Sequence, residues 1–148
     1  MLKLLKRHNL PRQDLLTVYT CYIRPITEYA APVWNGALTV NQKVRIERIQ
    51  KRALRIIYGN NYSTYPNVLL QCNRQSLEER RQSLCTSFIV KTMSNTNQFQ
   101  QYILPATNTR TLRYKKKVIE PRSQTARMQN SSIPYLARLY NLHVTTNV

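Results

Sequence analysis

The sequence predicts an all-α chain, an irregular helical bundle, on three observations. Apolar residues recur at three- and four-residue spacing through most of its length. Two Ser/Thr-x-x-Glu/Gln capping signals stand ahead of such runs. Glycine occurs only 2 times in 148 residues, which disfavours folds built on glycine-rich turns or phosphate loops. A chain of this length can bury about two thirds of its unfolded surface, so one packed core without disulfides suffices.

The elements follow in order. Met1 to His8 is a short apolar and basic segment with no cap before it. Pro11 suits a first helical turn, Asp14 adds negative charge near the helix N-terminus, and Leu15, Leu16, Tyr19, Tyr22 and Ile23 repeat at helical spacing to about Arg24. Pro25 kinks that helix or opens the next, in which Ile26, Tyr29, Ala30 and Val33 form an apolar face. Pro32 and Gly36 bound this segment around Trp34, which reads as a packing anchor.

The strongest pattern runs from Val40 to Ile57, VNQKVRIERIQKRALRII. At about 100° per residue, Ile46, Ile49, Ala53 and Ile57 share one stripe, expected to pack on the core. Arg45, Arg48, Lys51, Arg52 and Arg55 share the opposite arc, with Glu47 nearby to offset them, and Lys43 precedes them in the same helix. Thr39 and Gln42 form a capping box, and Gly59 stands where a left-handed cap is easiest for glycine. A polar, tyrosine-rich loop follows from Asn60 to Asn67. Ser76 and Glu79 make a second capping box, ahead of a helix to about Met93 whose core face is Leu77, Leu84, Cys85, Phe88 and Ile89. Gln98 to Leu104 reads as a short helix stopped by Pro105. From Ala106 to Ser132 no helical period survives; this is a basic loop with a short β-hairpin expected around Val118 and Ile119. Ser132 caps a final helix carrying Pro134 in its first turn, with Leu136, Leu139 and Tyr140 facing inward.

Charge narrows the choice of partner. The chain has 23 Lys and Arg against 6 Asp and Glu, a net +17, which favours polyanions. Nucleic acid fits best. An anionic membrane fits less well, because no helix pairs a basic face with exposed Trp and Phe. No run of about 18 apolar residues and no signal-peptide pattern occurs, and Cys21, Cys72 and Cys85 form an odd set without metal-type spacing. A soluble, intracellular protein, nuclear or cytoplasmic, with reduced thiols is the expectation.

Counting removes several chemistries. Asp14 is the sole aspartate, and Glu28, Glu47, Glu78, Glu79 and Glu120 are scattered, whereas two-metal phosphoryl transfer needs clustered carboxylates. His8 and His143 lie near opposite ends, without the spacing of a non-haem iron site. Cys85 lies between Leu84 and Phe88 as a core residue would. No enzyme activity, metal, cofactor or small-molecule substrate is expected. The candidate site is a nucleic-acid-binding one: Lys43, Arg45, Arg48, Lys51, Arg52 and Arg55 on the helix, and Arg110, Arg113, Lys115, Lys116, Lys117, Arg122 and Arg127 in the basic loop. Tyr58, Tyr62 and Tyr65 are candidates for base stacking.

The blocks YIRPITEYAAPVWNG (Tyr22 to Gly36), RIERIQKRALRII (Arg45 to Ile57), SLEERR (Ser76 to Arg81) and EPRSQTARMQNSSIPYLARLYN (Glu120 to Asn141) resemble, in that order, the region just after the palm in jockey-type non-LTR retrotransposon reverse transcriptases. The resemblance covers about Lys6 to Asn141. It implies a thumb-like helical domain over residues 1–104, the basic loop over 105–132 and a C-terminal helix over 133–143 packing on the same domain. It also implies template and primer backbone as ligand, RNA or DNA, and a palm domain in a longer parent polypeptide, with Met1 falling in mid-domain. The family's Y-x-D-D motif is absent, so its polymerase activity does not carry over. The segment Leu10 to Trp34 is also similar to the helical segment beside AlkB-type tRNA-modifying dioxygenases, without the dioxygenase residues. Two other readings stay open: a non-functional or structural remnant of a truncated element, and a basic adaptor for protein partners.

Overall fold

A computed structural model of the chain describes residues 1–94, 98–103, 105–106 and 117–146. The described residues are helical, without a sheet. Helices are α1 (Leu2–Arg7), α2 (Arg12–Val18), α3 (Arg24–Glu28), α4 (Ala31–Trp34), α5 (Val40–Tyr58), α6 (Tyr65–Gln71), α7 (Leu77–Ser94), α8 (Ala126–Gln129) and α9 (Ser132–Thr146). The chain divides into two compact units: Met1–Tyr29 with Thr39–Arg80, and Ala30–Leu38 with Arg81–Val148. The division falls within α7, not at the boundaries expected near 104 and 132.

In the first unit, α2 and α3 form one helical path through a π turn at Tyr19–Ile23. Pro25 explains the wider turn, because its ring crowds the carbonyl four residues back and it offers no N–H. Proline here neither stops nor restarts the helix. The core joins Leu2, Leu15, Tyr19, Ala53, Leu54, Ile57, Tyr58 and Val68. The apolar face expected after Pro25 is not part of it, since Ile26 and Tyr29 are 76 and 81% exposed, and Tyr22, expected inward on the preceding helix, is 66% exposed. The tyrosine-rich loop is shorter than expected, since Thr64 precedes α6 and Pro66 falls in its first turn.

Ala30 takes a left-handed conformation (φ 50°, ψ 30°) just ahead of α4, which belongs to the second unit. That unit's core joins Ala31, Cys85, Ile89, Ile103, Val118, Leu136 and Ala137, flanked by Trp34. Val33, expected inside, is 64% exposed. Gly36 lies against α9; a Cβ there would stand 2.5 Å from Tyr135 Cγ and 2.8 Å from the Asn130 carbonyl. Asn35 Nδ2 donates to Tyr135 Oη at 2.9 Å, and its Oδ1 accepts from Arg81 Nε at 3.1 Å.

The buried side of α7 is Leu77, Arg81, Cys85, Ile89 and Thr92, following Ser76 and Glu79, which form the expected capping box. Leu84 and Phe88 are half-buried. Arg81, fully buried, occupies a position that reads as surface. Burial pushes the Cys85 thiol up to about 11, in keeping with a packing role.

Where a hairpin is expected near Val118 and Ile119, the described residues carry one antiparallel bridge, between Val118 and Pro105; residues 107–116 lie outside the described residues. Pro105 lacks an N–H, which limits pairing. Asn141 of α9 holds this segment: its Oδ1 accepts from the Lys117 and Val118 amides at 3.0 and 3.1 Å, and its Nδ2 donates to the Val118 carbonyl at 3.1 Å. The region expected to be all loop contains α8, capped by Thr125 accepting from the Met128 amide at 3.2 Å.

Candidate nucleic-acid interface

Helix α5 is fixed at both ends. Gln42 N–H donates to Thr39 Oγ1 at 3.3 Å, and Thr39 N–H donates to Gln42 Oε1 at 2.9 Å, satisfying two amides that a bare helix start leaves orphaned. At the far end Gly59 has φ 56°, and Lys6 Nζ donates to the Ile56 and Ile57 carbonyls, a cation placed where the helix dipole favours it.

Its inward face keeps Ala53 and Ile57 of the expected stripe but not the rest. Gln50, Ala53, Leu54, Ile57 and Tyr58 are buried, while Ile46 is half-buried and Ile49 is 44% exposed. The helix is rotated toward its polar residues because the fold satisfies them. Tyr19 Oη donates to Gln50 Oε1 at 2.9 Å and Gln50 Nε2 donates to the Gln75 carbonyl at 2.9 Å. Glu47 accepts from Tyr65 Oη and from the Leu77 amide, the latter at 3.2 Å. Burial and the Glu47 carboxylate raise the Tyr65 pKa, keeping the phenol a donor.

This rotation sets the electrostatics of the outer face. Arg45, Arg48, Arg52 and Arg55 are exposed, and Lys51 is half-buried at the edge of the arc. Glu47, expected to offset these charges, is engaged on the inner side. Among the described residues, Arg45, Arg48, Lys51, Arg52 and Arg55 form no ion pair with a carboxylate. Lys43 differs, since its Nζ lies 3.1 Å from Glu78 Oε1. Such a face attracts anions and lacks any group to accept a proton or hold a metal. Among the described residues no cluster of three or more His, Cys, Asp or Glu could bind a metal, and no helix is long and apolar enough to cross a membrane.

The tyrosines serve this face differently from what their spacing suggests. Tyr58 is buried, with Arg12 Cζ 4.8 Å from its ring centroid, which removes it from the stacking candidates. Tyr65 and Tyr62 are half-buried; Lys51 Nζ stands 4.9 Å from the first ring and Arg55 Cζ 5.5 Å from the second. These are cation–π contacts. Lys6 and Arg12 support α5 and its tyrosine from a distance in sequence that no periodicity could signal.

The loop candidates belong to the second unit. Lys117, Arg122 and Arg127 are exposed. Arg110, Arg113, Lys115 and Lys116 lie outside the described residues. Comparison with protein-family models, curated proteins and solved structures gives no match to this chain.

Proposed function

We propose that the chain binds nucleic acid through its phosphate backbone, using the exposed arginines of α5, and performs no chemistry on it. One observation carries this reading: four exposed guanidinium groups share a helix face from which Glu47, the one carboxylate in α5, is turned inward. A helix face kept merely soluble usually mixes both signs of charge. Phosphate-directed binding of this kind gives affinity without sequence preference. The resemblance to the post-palm region of non-LTR reverse transcriptases agrees with this reading, and there the ligand would be template and primer.

A salt titration of oligonucleotide binding tests it. Neutralising about five phosphates gives a slope of log K against log salt near −4. A slope near zero, or no binding at low salt, would sink the proposal.

A second reading rests on a different feature, the exposed Tyr22 and Ile26. Spaced four apart, they lie along one side of the α2–α3 path. A helical remnant or structural piece missing its packing partner would show such a face. Sedimentation velocity separates the two readings: concentration-dependent self-association together with weak, salt-insensitive nucleic-acid binding favours the remnant.

A further inference from the structure

Within the first unit, a cavity of about 280 Å³ is lined by Arg24, Glu28, Asn73, Arg74, Gln75, Leu77 and Arg80. Its lining brings together three guanidinium groups and one carboxylate from two separated stretches of chain. Glu28 is the organising residue: Oε1 is 3.3 Å from Arg24 Nε, and Oε2 is 3.5 Å from Arg80 Nε. Each approach uses only the Nε of its arginine, so Glu28 does not occupy the Nη donors of either. Arg74 adds a third cation. The short stretch bearing it is held by the Asn73 and Arg74 amides, which donate to the Leu70 and Leu69 carbonyls at 3.0 and 2.9 Å, with Asn73 at φ 50°.

We infer that this cavity is a site for a phosphate monoester, separate from the backbone-binding face of α5. Two features select that ligand. Positive groups exceed negative by two, matching a monoester, which carries about −1.5 to −2 at neutral pH, better than a phosphodiester with one charge. Guanidinium forks match phosphate oxygens in pairs, and partial withdrawal from water strengthens the attraction at Arg24 and Arg80, whose side chains are 20 and 40% exposed, while Arg74 is exposed.

The test uses the whole chain and two small probes, methyl phosphate and dimethyl phosphate, titrated calorimetrically at low salt. Methyl phosphate binds saturably and about tenfold more tightly than the diester, and Arg74→Gln weakens it by about tenfold or more, the scale of removing one charge-assisted hydrogen bond. The same loss of charge at the exposed Lys91, as Lys91→Gln, leaves it unchanged; circular dichroism confirms that both variants remain helical. Equal affinity for both esters, equal loss in both variants, or no binding overturns the site. An oligonucleotide with and without a 5′-phosphate then identifies the source. A gain from the phosphate that disappears in Arg74→Gln assigns the site to a nucleic-acid end, and no gain assigns it to a small phosphate ester. Because methyl phosphate is read alone, the site stands or falls independently of backbone binding by α5.

Discussion

Tyr19 and Gln50 meet inside the first unit, the phenol donating to the amide oxygen at 2.9 Å with both residues almost fully buried. The bond explains how a polar side chain comes to occupy the centre of the inward face of α5. Gln50→Ala strands the Tyr19 hydroxyl and the Gln75 carbonyl and is expected to lower stability by about 2–4 kcal/mol. Tyr19→Phe costs about 1–2 kcal/mol, and the double variant costs less than the sum because the two losses share one bond. Urea unfolding of the three variants measures this; simple additivity would contradict it.

Alkali should unfold the chain through its buried phenols. Burial raises the pKa of Tyr19, and burial with the Glu47 carboxylate raises that of Tyr65. Unfolded tyrosine ionises near pH 10, so above about that value the folded state holds protons that the unfolded state has released. Stability is therefore fully present below about pH 10 and falls as pH rises beyond it, by at most about 1.4 kcal/mol per unit for each such tyrosine. Urea midpoints followed into alkali should show the decline, and Tyr19→Phe should make it shallower.

Arg81 is a fully buried cation with one hydrogen bond, from Nε to Asn35, and neither Nη has a partner among the described residues. The Trp34 ring, 5.9 Å from Cζ, offsets part of the desolvation. Replacing a buried charge with an apolar side chain of similar volume often stabilises. Arg81→Met is expected to leave stability within about 1 kcal/mol or raise it by up to about 2 kcal/mol. Arg81→Ala, which adds a cavity, lowers it, and thermal melts order the two.

Gly36→Ala should be costly, since its methyl group would overlap both the Tyr135 ring and the Asn130 carbonyl. A loss of about 1–3 kcal/mol is expected from overpacking. A Cβ at Gly59 would meet Lys6 Nζ at 2.5 Å, but a lysine end can swing aside. That position is dominated by its backbone, φ 56° with ψ −123°, which an L side chain rarely adopts, at about 1–3 kcal/mol. Melting temperatures should fall for both, and Tyr135→Ala should leave most of the Gly36→Ala loss in place, because the Tyr135 Cβ at 2.7 Å and the Asn130 carbonyl at 2.8 Å remain.

Reversal of Arg48 and Arg52 to Glu tests the exposed face directly. Each phosphate left without its cation takes about 0.9 from the salt slope on duplex DNA, so the double variant should flatten it by about 2. Far-ultraviolet circular dichroism should stay unchanged, because both side chains are exposed. Unfolding of this variant would show that the charges support structure.

Local signals are legible in the sequence where the chemistry is local. The capping boxes at Thr39/Gln42 and Ser76/Glu79 form as their spacing predicts, because each needs only residues three apart. The phase of α5 is not legible: Gln50 and Glu47 turn inward on account of Tyr19, Gln75, Tyr65 and Leu77, which are distant in sequence. Arg81 escapes prediction for the same reason, needing Asn35 to be tolerable inside. Tyr22 and Ile26 look like core by periodicity, but spacing shows only that residues share a side, not that anything covers it. The arginine arc is visible from sequence, whereas Arg24, Arg74 and Arg80 converge only through folding.

The tyrosines beneath Lys51 and Arg55 make the cations of α5 unequal. Immobilising a long side chain on binding costs about 0.5–1.5 kcal/mol in lost rotamer freedom. Lys51 and Arg55, each lying against a ring, have given up part of that freedom during folding. Arg45, Arg48 and Arg52 have no such support among the described residues. On the proposed reading, the two cations that rest on phenols would return the most affinity for each phosphate met, and the remainder would chiefly draw a polyanion toward them.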